Sequence, residues 1–348
     1  ENHGCGPQGS EHIQLLAEVA RTFRTESIRQ AVRCATSAAE IYRILQNPQS
    51  LTETIAPAGG SGINEIILSH ALDLAGELRA EAILLHADAL HDLRCLESLK
   101  TESTILLVSS RPELDTGKLS FPHRLIHLPF SGLNRANQVD LALLLSLGHG
   151  FLAREGRLVS LFGHPDSGIL DSLMLIDLSR ELPTFLSTYP TDLLGDIAPE
   201  VLERVLQIAT TIAREGREGK PVGTTLVVGD YQRVRAMSRQ LVINPFKGYT
   251  DEEKSVLDPS LEETLKEFAT IDGAFLIRGD GVVEAAGTYL RPDMAAEDLP
   301  SGLGARHAAA AGITGATAAL AVVISQSTGR VSLFKAGRSI LVLDRPRN

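Results

Sequence analysis

The sequence predicts an α/β fold arranged as two domains, and three observations lead to this prediction. Segments with helical and strand-like patterns alternate from residue 60 to residue 162. A cluster of Pro and Gly between residues 187 and 200 is followed by a second set of helices and strands. The length of 348 residues suits two domains of roughly 100 to 200 residues each.

Residues 1–59 are predicted to form an N-terminal tail with two helices, outside both domains. Apolar residues recur at helical spacing from residue 11 to about residue 47, which is typical of amphipathic helices. Pro48 and the stretch APAGGSG at 56–62 then interrupt this pattern. The stretch lacks the Lys-Ser/Thr ending of a nucleotide phosphate loop, so we interpret it as a linker.

The first domain is predicted to span residues 60–195 and to form three layers around a mostly parallel sheet. Alternating helices and strands are typical of a parallel sheet that is covered by helices. The predicted helices are 65–80 and 138–156, and the predicted strands are 82–87, 104–110, 124–130 and 158–162.

The second domain is predicted to span residues 196–348. Two predicted strands within 272–290 meet at Gly279-Asp280-Gly281, a turn signal that favours a hairpin. The other predicted helices are 201–216, 231–240 and 260–270, and the other predicted strands are 224–230, 319–325 and 331–337.

Composition and charge exclude several classes of protein. The 43% hydrophobic and 22% charged content is typical of a globular protein, and the formal net charge of -10 argues against nucleic acid as a partner. Cys5, Cys34 and Cys95 are too far apart for a zinc site or a disulfide framework, which favours the cytoplasm. The N-terminus has no signal-peptide pattern. The uncharged run 308–325 is rich in Ala, Gly and Thr, which favours a helix and a buried strand over a membrane span.

Arg306 and His307 lie where a helix is predicted to begin. Gly302 and Gly304 precede them and four alanines follow, which favours a loop that turns into a helix. A helix N-terminus has unpaired N–H groups that bind phosphate, and an arginine adds bidentate hydrogen bonds. His307 can bind a metal or the same phosphates. A solvent-facing pair at a helix start is an equally good interpretation.

Three further segments contain candidate site residues. Asp272, at a predicted helix-to-strand junction, can hold Mg2+ or Mn2+ or accept a proton from a hydroxyl, although an isolated Asp-Gly favours a turn. The turn that includes Ser325, Thr328 and Gly329 can present hydroxyl and amide groups to phosphate, or serve as a plain hairpin. Tyr289 can present its ring to a flat base or pack at a strand end.

The loop GHPDSG at 163–168 is a weaker candidate. It follows a predicted strand, where α/β sheets usually bind ligands. His164 and Asp166 suggest a metal pair, but two candidate ligands in one exposed loop favour an ordinary loop.

Four short segments together resemble a known family. DGAF, AAGTYL, LGARHAAA and SQSTG follow one another in the order found in the diadenylate cyclase (DAC) domain, which makes cyclic di-AMP from two ATP. The resemblance covers roughly residues 200–345, where EGREGKPVGTTLVVGD and LDPSLEETLKEFATIDGA are similar to archaeal-type members. It implies a DAC-type α/β domain with a mixed central sheet. Residues 60 to about 185 resemble, more faintly, the C-terminal α/β domain of pyruvate kinase.

The resemblance implies a metal-dependent nucleotidyltransferase with ATP as substrate, cyclic di-AMP as product and Mn2+ or Mg2+ as cofactor. It implies catalytic roles for Asp272, Arg306 and His307, and metal binding by Asp272 and His307. It also implies a homo-oligomer that is at least a dimer, with one ATP per protomer. The implied ATP-binding residues are Gly273, Ala274, Gly287, Thr288, Tyr289, Leu290, Gly304, Arg306, His307, Ser325, Thr328 and Gly329.

Three positions depart from the family's pattern. Ala308 stands where the family has a second arginine, Ala305 where a threonine is usual, and Gln326 where a glutamate is common. Together these departures predict weaker phosphate and metal binding, because the loss of one charge-assisted contact costs about 1.5 to 3 kcal/mol. The candidate replacements for the missing arginine are Arg278, Arg330 and Lys335.

Two alternatives to an active cyclase stay open. The first is a catalytically weakened DAC-like module that binds ATP or cyclic di-AMP as a sensor, as Ala308 and Gln326 suggest. The second makes the first domain the functional part, either as a sensor of a small effector or as a scaffold for oligomers.

Overall fold

The computed structural model describes residues 60–111, 113–129, 133–153, 155–179, 194–291 and 304–344. The two helices predicted between residues 11 and 47 lie outside these ranges, as does the first half of the predicted boundary near 187–200. Among the helices in the described ranges, none has both the length and the apolar character needed to cross a membrane. The uncharged run 308–325 is a helix followed by a buried strand.

The first sheet has five strands: β1 Ala82–His86, β2 Ile105–Ser109, β3 His123–His127, β4 Arg157–Phe162 and β5 Ser172–Asp177. Their order across the sheet is β3-β2-β1-β4-β5. The first four strands run parallel and β5 pairs antiparallel with β4. The predicted mostly parallel sheet is confirmed.

Helices cover both faces of this sheet, as predicted. They are α1 Gly60–Glu77, the short α2 Arg94–Glu97 and α3 Arg135–Gly148. Side chains of α1 pack with the β-strand residues that face one side, such as Ile83 and Leu85. Side chains of α3 pack with those that face the other side, such as Leu84. The alternation follows from the two-residue period of a strand.

The second sheet has seven strands: β6 Thr225–Val228, β7 Ser238–Gln240, β8 Ala274–Ile277, β9 Val283–Leu290, β10 Leu320–Ile324, β11 Val331–Lys335 and β12 Arg338–Leu343. Their order is β12-β11-β10-β6-β8-β9-β7. The pair β6 and β8 is parallel and the other pairs are antiparallel. The predicted mixed central sheet is confirmed.

Helices also lie on both faces of the second sheet. They are α4 Pro199–Glu215, α5 Tyr231–Ala236, α6 Leu261–Phe268 and α7 Ala305–Ala316. The apolar side of α4 packs with Leu320, Val322 and Ile324 of β10. Ala310, Ala311 and Ile313 of α7 pack against the opposite face. The alanines are small, which lets α7 approach the sheet closely.

Four sequence predictions need correction. The helix predicted at 231–240 ends at Ala236, because residues 238–240 pair with the end of β9 and this tertiary contact overrides local propensity. The helix predicted at 138–156 ends at Gly148, before Gly150 adopts a left-handed φ of 69°. The linker predicted at 56–62 is helical from Gly60 onward. Strands β5 and β12 have no counterpart among the predicted strands.

Candidate active site

A cavity of about 1060 Å³ lies on the α7 side of the second sheet. Its wall combines the start of β8, the end of β9, the first turn of α7 and the hairpin between β10 and β11. These segments are far apart in sequence, and the sheet order brings them together. The predicted site residues that line it are Asp272, Gly273, Ala274, Thr288, Tyr289, Leu290, Gly304, Arg306, His307, Ser325 and Thr328.

Asp272 and Gly273 form the rim of the cavity where β8 begins. Gly273 has a φ of 111°, and a Cβ atom there would lie 2.6 Å from the backbone nitrogen of Thr288. Only glycine therefore lets the backbone of β9 pass so close. The side chain of Asp272 is 95% exposed, so its carboxylate is available to a ligand at this rim.

The first turn of α7 contributes positive charge to the wall. Gly304 is the N-cap residue and has no side chain with which to cap the helix, which leaves N–H groups of the first turn free for a ligand. The Arg306 Nη2 atom lies 3.7 Å from the Asp272 Oδ1 atom. The positive end of the helix dipole and the Arg306 guanidinium therefore favour an anion in this part of the cavity.

His307 follows Arg306 and is half-buried. Its ring meets the Phe334 ring edge-on, with the two centroids 5.9 Å apart. Burial lowers the pKa of His307 below its ordinary value, because a charged imidazole loses hydration there. The imidazole is therefore neutral near pH 7 and retains one nitrogen that can accept a proton or a metal.

The turn between β10 and β11 places hydroxyl groups at the cavity mouth. Gly329 has a φ of 68° and its N–H donates to the Ser325 carbonyl oxygen at 2.8 Å, which closes the turn. The Ser325 Oγ atom lies 3.3 Å from the Ser327 Oγ atom and accepts from the Thr328 N–H at 3.4 Å. Gly329 itself does not line the cavity but shapes the backbone that does.

The end of β9 forms the opposite side of the cavity. Tyr289 is 52% exposed, whereas Thr288 and Leu290 are buried. Gly287 has a φ of 62° and does not line the cavity. Its carbonyl oxygen accepts from the Leu241 N–H at 2.9 Å, which holds β7 and the segment after it beside β9. The exposed Tyr289 ring is thus free to contact a flat group.

Two family models match this chain. Residues 211–339 match the family described as "DAC: DisA bacterial checkpoint controller nucleotide-binding". The second domain is therefore similar to DAC domains. Residues 64–185 match the family described as "Probable sensor domain DacZ_P". The likeness of this first domain to pyruvate kinase stays a prediction, as do the exact domain boundaries.

Curated relatives agree with the DAC match. The diadenylate cyclase of Methanocaldococcus jannaschii is 29% identical over 309 residues, which cover 82% of this chain and 98% of that protein. The diadenylate cyclase of Haloferax volcanii is 43% identical over 149 residues, which cover 42% of this chain and 53% of that protein.

A solved structure of DacA from Staphylococcus aureus is 22% identical, covers 43% of this chain and 87% of that chain, and has a TM-score of 0.27.

The cavity of the second domain also includes residues that the sequence patterns did not single out. Ser339 and Val342 come from β12, a strand missing from the prediction, although RSILVL contains a β-like apolar run that could have indicated it. Leu241 follows β7, which the prediction placed in a helix. The other additional wall residues are Thr225, Ala305, Ala309, Ile324, Gln326, Ser327, Arg330, Ser332 and Phe334.

Metal binding in this cavity would have to rely on few protein ligands. Within the described ranges, no group of three or more His, Cys, Asp or Glu side chains is arranged to hold a metal ion. Mg2+ commonly uses one or two carboxylates together with substrate phosphates and water. The exposed Asp272 carboxylate fits that pattern.

In the GHPDSG loop, the His164 Nδ1 atom lies 3.0 Å from the Pro165 carbonyl oxygen, which fits an ordinary loop.

Proposed function

We propose that this protein is a diadenylate cyclase that condenses two ATP into cyclic di-AMP and two pyrophosphates. The observation that carries the proposal is the position of Asp272, Arg306 and the hairpin turn 325–329 around a single cavity of about 1060 Å³. This volume is sufficient for a nucleotide, because small-molecule sites usually measure about 300 to 1000 Å³. The DAC family and the similar cyclases give the reaction class.

One ATP binds in each cavity. The first turn of α7 and the Ser325–Gly329 turn hold the triphosphate, because both present N–H or O–H groups and Arg306 adds positive charge. The adenine lies against Tyr289 and Leu290 at the end of β9. Exposed aromatic and buried apolar side chains suit the flat face of a base.

The reaction joins the two nucleotides through two equivalent steps. In each step, the 3'-oxygen of one ATP bonds to the α-phosphorus of the other, and the bond from that phosphorus to the bridging oxygen of pyrophosphate breaks. The proton of the attacking hydroxyl passes to the Asp272 carboxylate, which is exposed at the cavity rim. Arg306 stabilises negative charge that develops on the phosphates, and the neutral His307 binds or orients the same groups.

A divalent ion, Mn2+ or Mg2+, belongs to this proposal. When bound, it neutralises phosphate charge and makes the α-phosphorus more open to attack. Asp272 would hold it, with His307 as the second predicted ligand. Arg306 lies close enough to Asp272 to position the carboxylate for this purpose, since their nearest atoms are 3.7 Å apart.

The chemistry requires two copies of the domain. Each 3'-hydroxyl must reach the α-phosphate of the other ATP, so two cavities must face each other across a two-fold axis. We therefore propose at least a homodimer, formed through the DAC domains. A cytoplasmic location, which the cysteine spacing predicts, belongs to the same proposal.

A binding module is the second candidate function. Gln326 lies in the cavity wall where a glutamate is common in the family, and an uncharged amide is a weaker metal ligand than a carboxylate. Such a module would bind ATP or cyclic di-AMP without turnover. Release of pyrophosphate separates the two functions, because a sensor releases none.

The deciding experiment is incubation of the purified protein with ATP and either Mn2+ or Mg2+. Mass spectrometry should detect cyclic di-AMP, and the product should be absent when EDTA is present. Asp272→Asn should lower the rate at least about 1000-fold, because general base catalysis and metal binding both depend on that carboxylate. Size-exclusion chromatography with light scattering, performed with ATP present, reports the proposed dimer.

Two results would count against the cyclase. Absence of product with either metal, together with retained ATP binding, would favour the binding module. Full activity of Asp272→Asn would place the chemistry on other residues.

A further inference from the structure

We propose that Arg330 is a further substrate-binding residue, which contacts the phosphates of ATP, and that Asp344 positions it. This inference rests on the proposed function and concerns the same cavity. It also answers a question left by the sequence, namely which cation binds phosphate instead of the arginine that the family has at the position of Ala308.

The surroundings of the three candidate cations differ. Arg278 does not line the cavity and is bound by carboxylates: its Nη1 atom lies 2.9 Å from Asp251 and 3.0 Å from Glu284. Lys335 is buried outside the cavity wall, and its ammonium donates to the Ala318 carbonyl oxygen. Arg330 lines the cavity.

Arg330 lies beside the phosphate-binding turn. It follows Gly329 directly, and its carbonyl oxygen accepts from the Ser325 N–H at 2.9 Å, so it closes the turn whose hydroxyls face the cavity mouth. Its N–H donates to the Thr328 Oγ1 atom at 3.2 Å. A phosphate held by the Ser325 and Thr328 hydroxyls is therefore within the reach of an arginine side chain.

The hydrogen bonds of the Arg330 side chain leave its outer face available. The Nε atom donates to the Asp344 Oδ1 atom at 3.0 Å. Among the described residues, no partner is found for the two terminal nitrogens, and the side chain is 57% exposed. Terminal nitrogens of an arginine form the fork that binds a phosphate with two hydrogen bonds.

Asp344 is itself fixed by α3 of the first domain. Its Oδ2 atom accepts from the Asn134 Nδ2 atom at 3.4 Å, and Asn134 is the N-cap residue of α3. Asn137 of the same helix contacts the backbone next to this carboxylate. In the amide orientation that gives both polar atoms a partner, the Asn137 oxygen accepts from the Asp344 N–H at 3.3 Å and the Asn137 nitrogen donates to the Val342 carbonyl oxygen at 3.2 Å. These contacts hold the carboxylate that orients Arg330, so Asp344 is a positioning residue.

The test compares the binding of ATP with the binding of adenosine. We expect Arg330→Gln to weaken ATP binding about 10-fold, measured by calorimetry with a nonhydrolysable ATP analogue, because a charge-assisted hydrogen bond at a half-exposed site lies at the weak end of its usual range. Adenosine binding should stay unchanged, because adenosine has no phosphate. Arg330→Lys should give an intermediate loss, because lysine keeps the charge but not the fork.

Asp344→Asn should weaken binding of the ATP analogue about 2- to 3-fold, and it should add nothing in the Arg330→Gln background. That absence of additivity separates positioning from an independent contact. The matched control is Arg217→Gln, since the Arg217 Nε atom donates to Glu267 at 2.9 Å in the same domain but outside the cavity. This control should bind both ligands as the unaltered protein does.

The outcomes for this inference and for the cyclase proposal are distinct. If Arg330→Gln weakened the binding of the ATP analogue and of adenosine equally, or weakened neither, the role of Arg330 would be overturned. The cyclase proposal would stand in that case, provided that the unaltered protein makes cyclic di-AMP. Absence of cyclic di-AMP with the unaltered protein would instead refute the cyclase, and the Arg330 comparison would still report on nucleotide binding.

Discussion

The two domains each contain an aspartate near the end of a strand, and the two aspartates have opposite surroundings. Asp88 follows β1 and accepts from the Ser109 Oγ atom at 2.6 Å and from the Ser110 N–H at 2.8 Å, with 17% of its side chain exposed. Asp272 precedes β8 and is 95% exposed. A carboxylate that uses its oxygens inside the protein stabilises a fold, whereas one that leaves them exposed is free for a ligand.

The basic residues near the two aspartates follow the same distinction. Arg111 donates to the Leu90 carbonyl oxygen at 3.0 Å and to that of Ala87, and its Nε atom lies 3.6 Å from Asp88. Arg306 lies 3.7 Å from Asp272, at the rim of a large cavity. The comparison predicts that changes around Asp88 affect mainly stability, and that changes around Asp272 affect mainly activity.

The largest combined effect on stability and activity is expected at Gly273, where the cavity rim depends on close packing of two backbone segments. Gly273→Ala would place a Cβ atom 2.6 Å from the Thr288 nitrogen, at a φ of 111°. We expect the free energy of unfolding to fall by about 3 kcal/mol, because the cost of the strained backbone and the cost of the close contact add to each other. We also expect cyclic di-AMP formation to fall about 100-fold, because displacement of the cavity rim misplaces the reacting groups. Urea unfolding and the initial rate measure the two effects.

Gly76→Ala is the matched control for this substitution. Gly76 lies in α1, and a Cβ atom there would meet nothing within 4 Å. The alanine should raise the free energy of unfolding by about 0.5 to 1 kcal/mol, because glycine is unfavourable within a helix. Normal stability of Gly273→Ala would show that β8 and β9 can move apart. The close approach of β9 would then not be the reason why position 273 is a glycine.

The next effect tests the aspartate of the first domain directly. Asp88→Ala removes the acceptor for both serines and for the Arg111 ion pair, and leaves partly buried donors without partners. We expect the free energy of unfolding to fall by about 3 kcal/mol. The rate of cyclic di-AMP formation, measured well below the unfolding temperature, should change less than about 2-fold, because Asp88 does not line the cavity of about 1060 Å³.

Asp272→Asn supplies the opposite half of this comparison. Its free energy of unfolding should change by less than about 0.5 kcal/mol, because an exposed carboxylate with a single cation 3.7 Å away stabilises little. A large loss of stability in this variant would mean that Asp272 is structural. Loss of turnover in Asp88→Ala at full stability would place a functional role in the first domain.

The sequence patterns predicted the fold and the cavity wall where a local signal exists. Gly304 before Arg306 and four following alanines predicted a helix start, and α7 begins at Ala305. The turn signal at 279–281 predicted the β8–β9 hairpin. Both signals are local, because the residues that define each feature are neighbours in the chain.

The missed elements depend on contacts that the local pattern does not contain. β5 exposes Leu173, Met174 and Leu175 in succession, so it lacks the alternation that predicts a strand. The short β7 exists because it pairs with β9, about 50 residues later in the chain, at Arg239 and Tyr289. Arg330 could be proposed as a replacement arginine from its sequence, but its choice over Arg278 and Lys335 needed the surroundings of all three side chains.

The smallest effect tests a buried group of the first domain that has no role in the proposed chemistry. His86 ends β1, is 3% exposed and lies with its ring centroid 5.3 Å from that of Phe162. Burial lowers the pKa of His86 to about 4, an effect that the nearby Asp88 partly offsets. The unfolded chain binds a proton near pH 6.5, so the folded state loses stability as the pH falls from about 6.5 toward 4.

We therefore expect His86→Leu to reduce the acid sensitivity of the fold. Between pH 7 and pH 5, a buried neutral histidine accounts for a loss of up to about 2 kcal/mol, which the leucine variant should not show. The measurement is the free energy of urea unfolding at both pH values for the two proteins. An unchanged difference between pH 7 and pH 5 would mean that His86 is protonated in the folded state. Asp88 would then be its counter-ion, so the hydrogen bonds to Ser109 and Ser110 would not be the only function of the Asp88 carboxylate in the first domain.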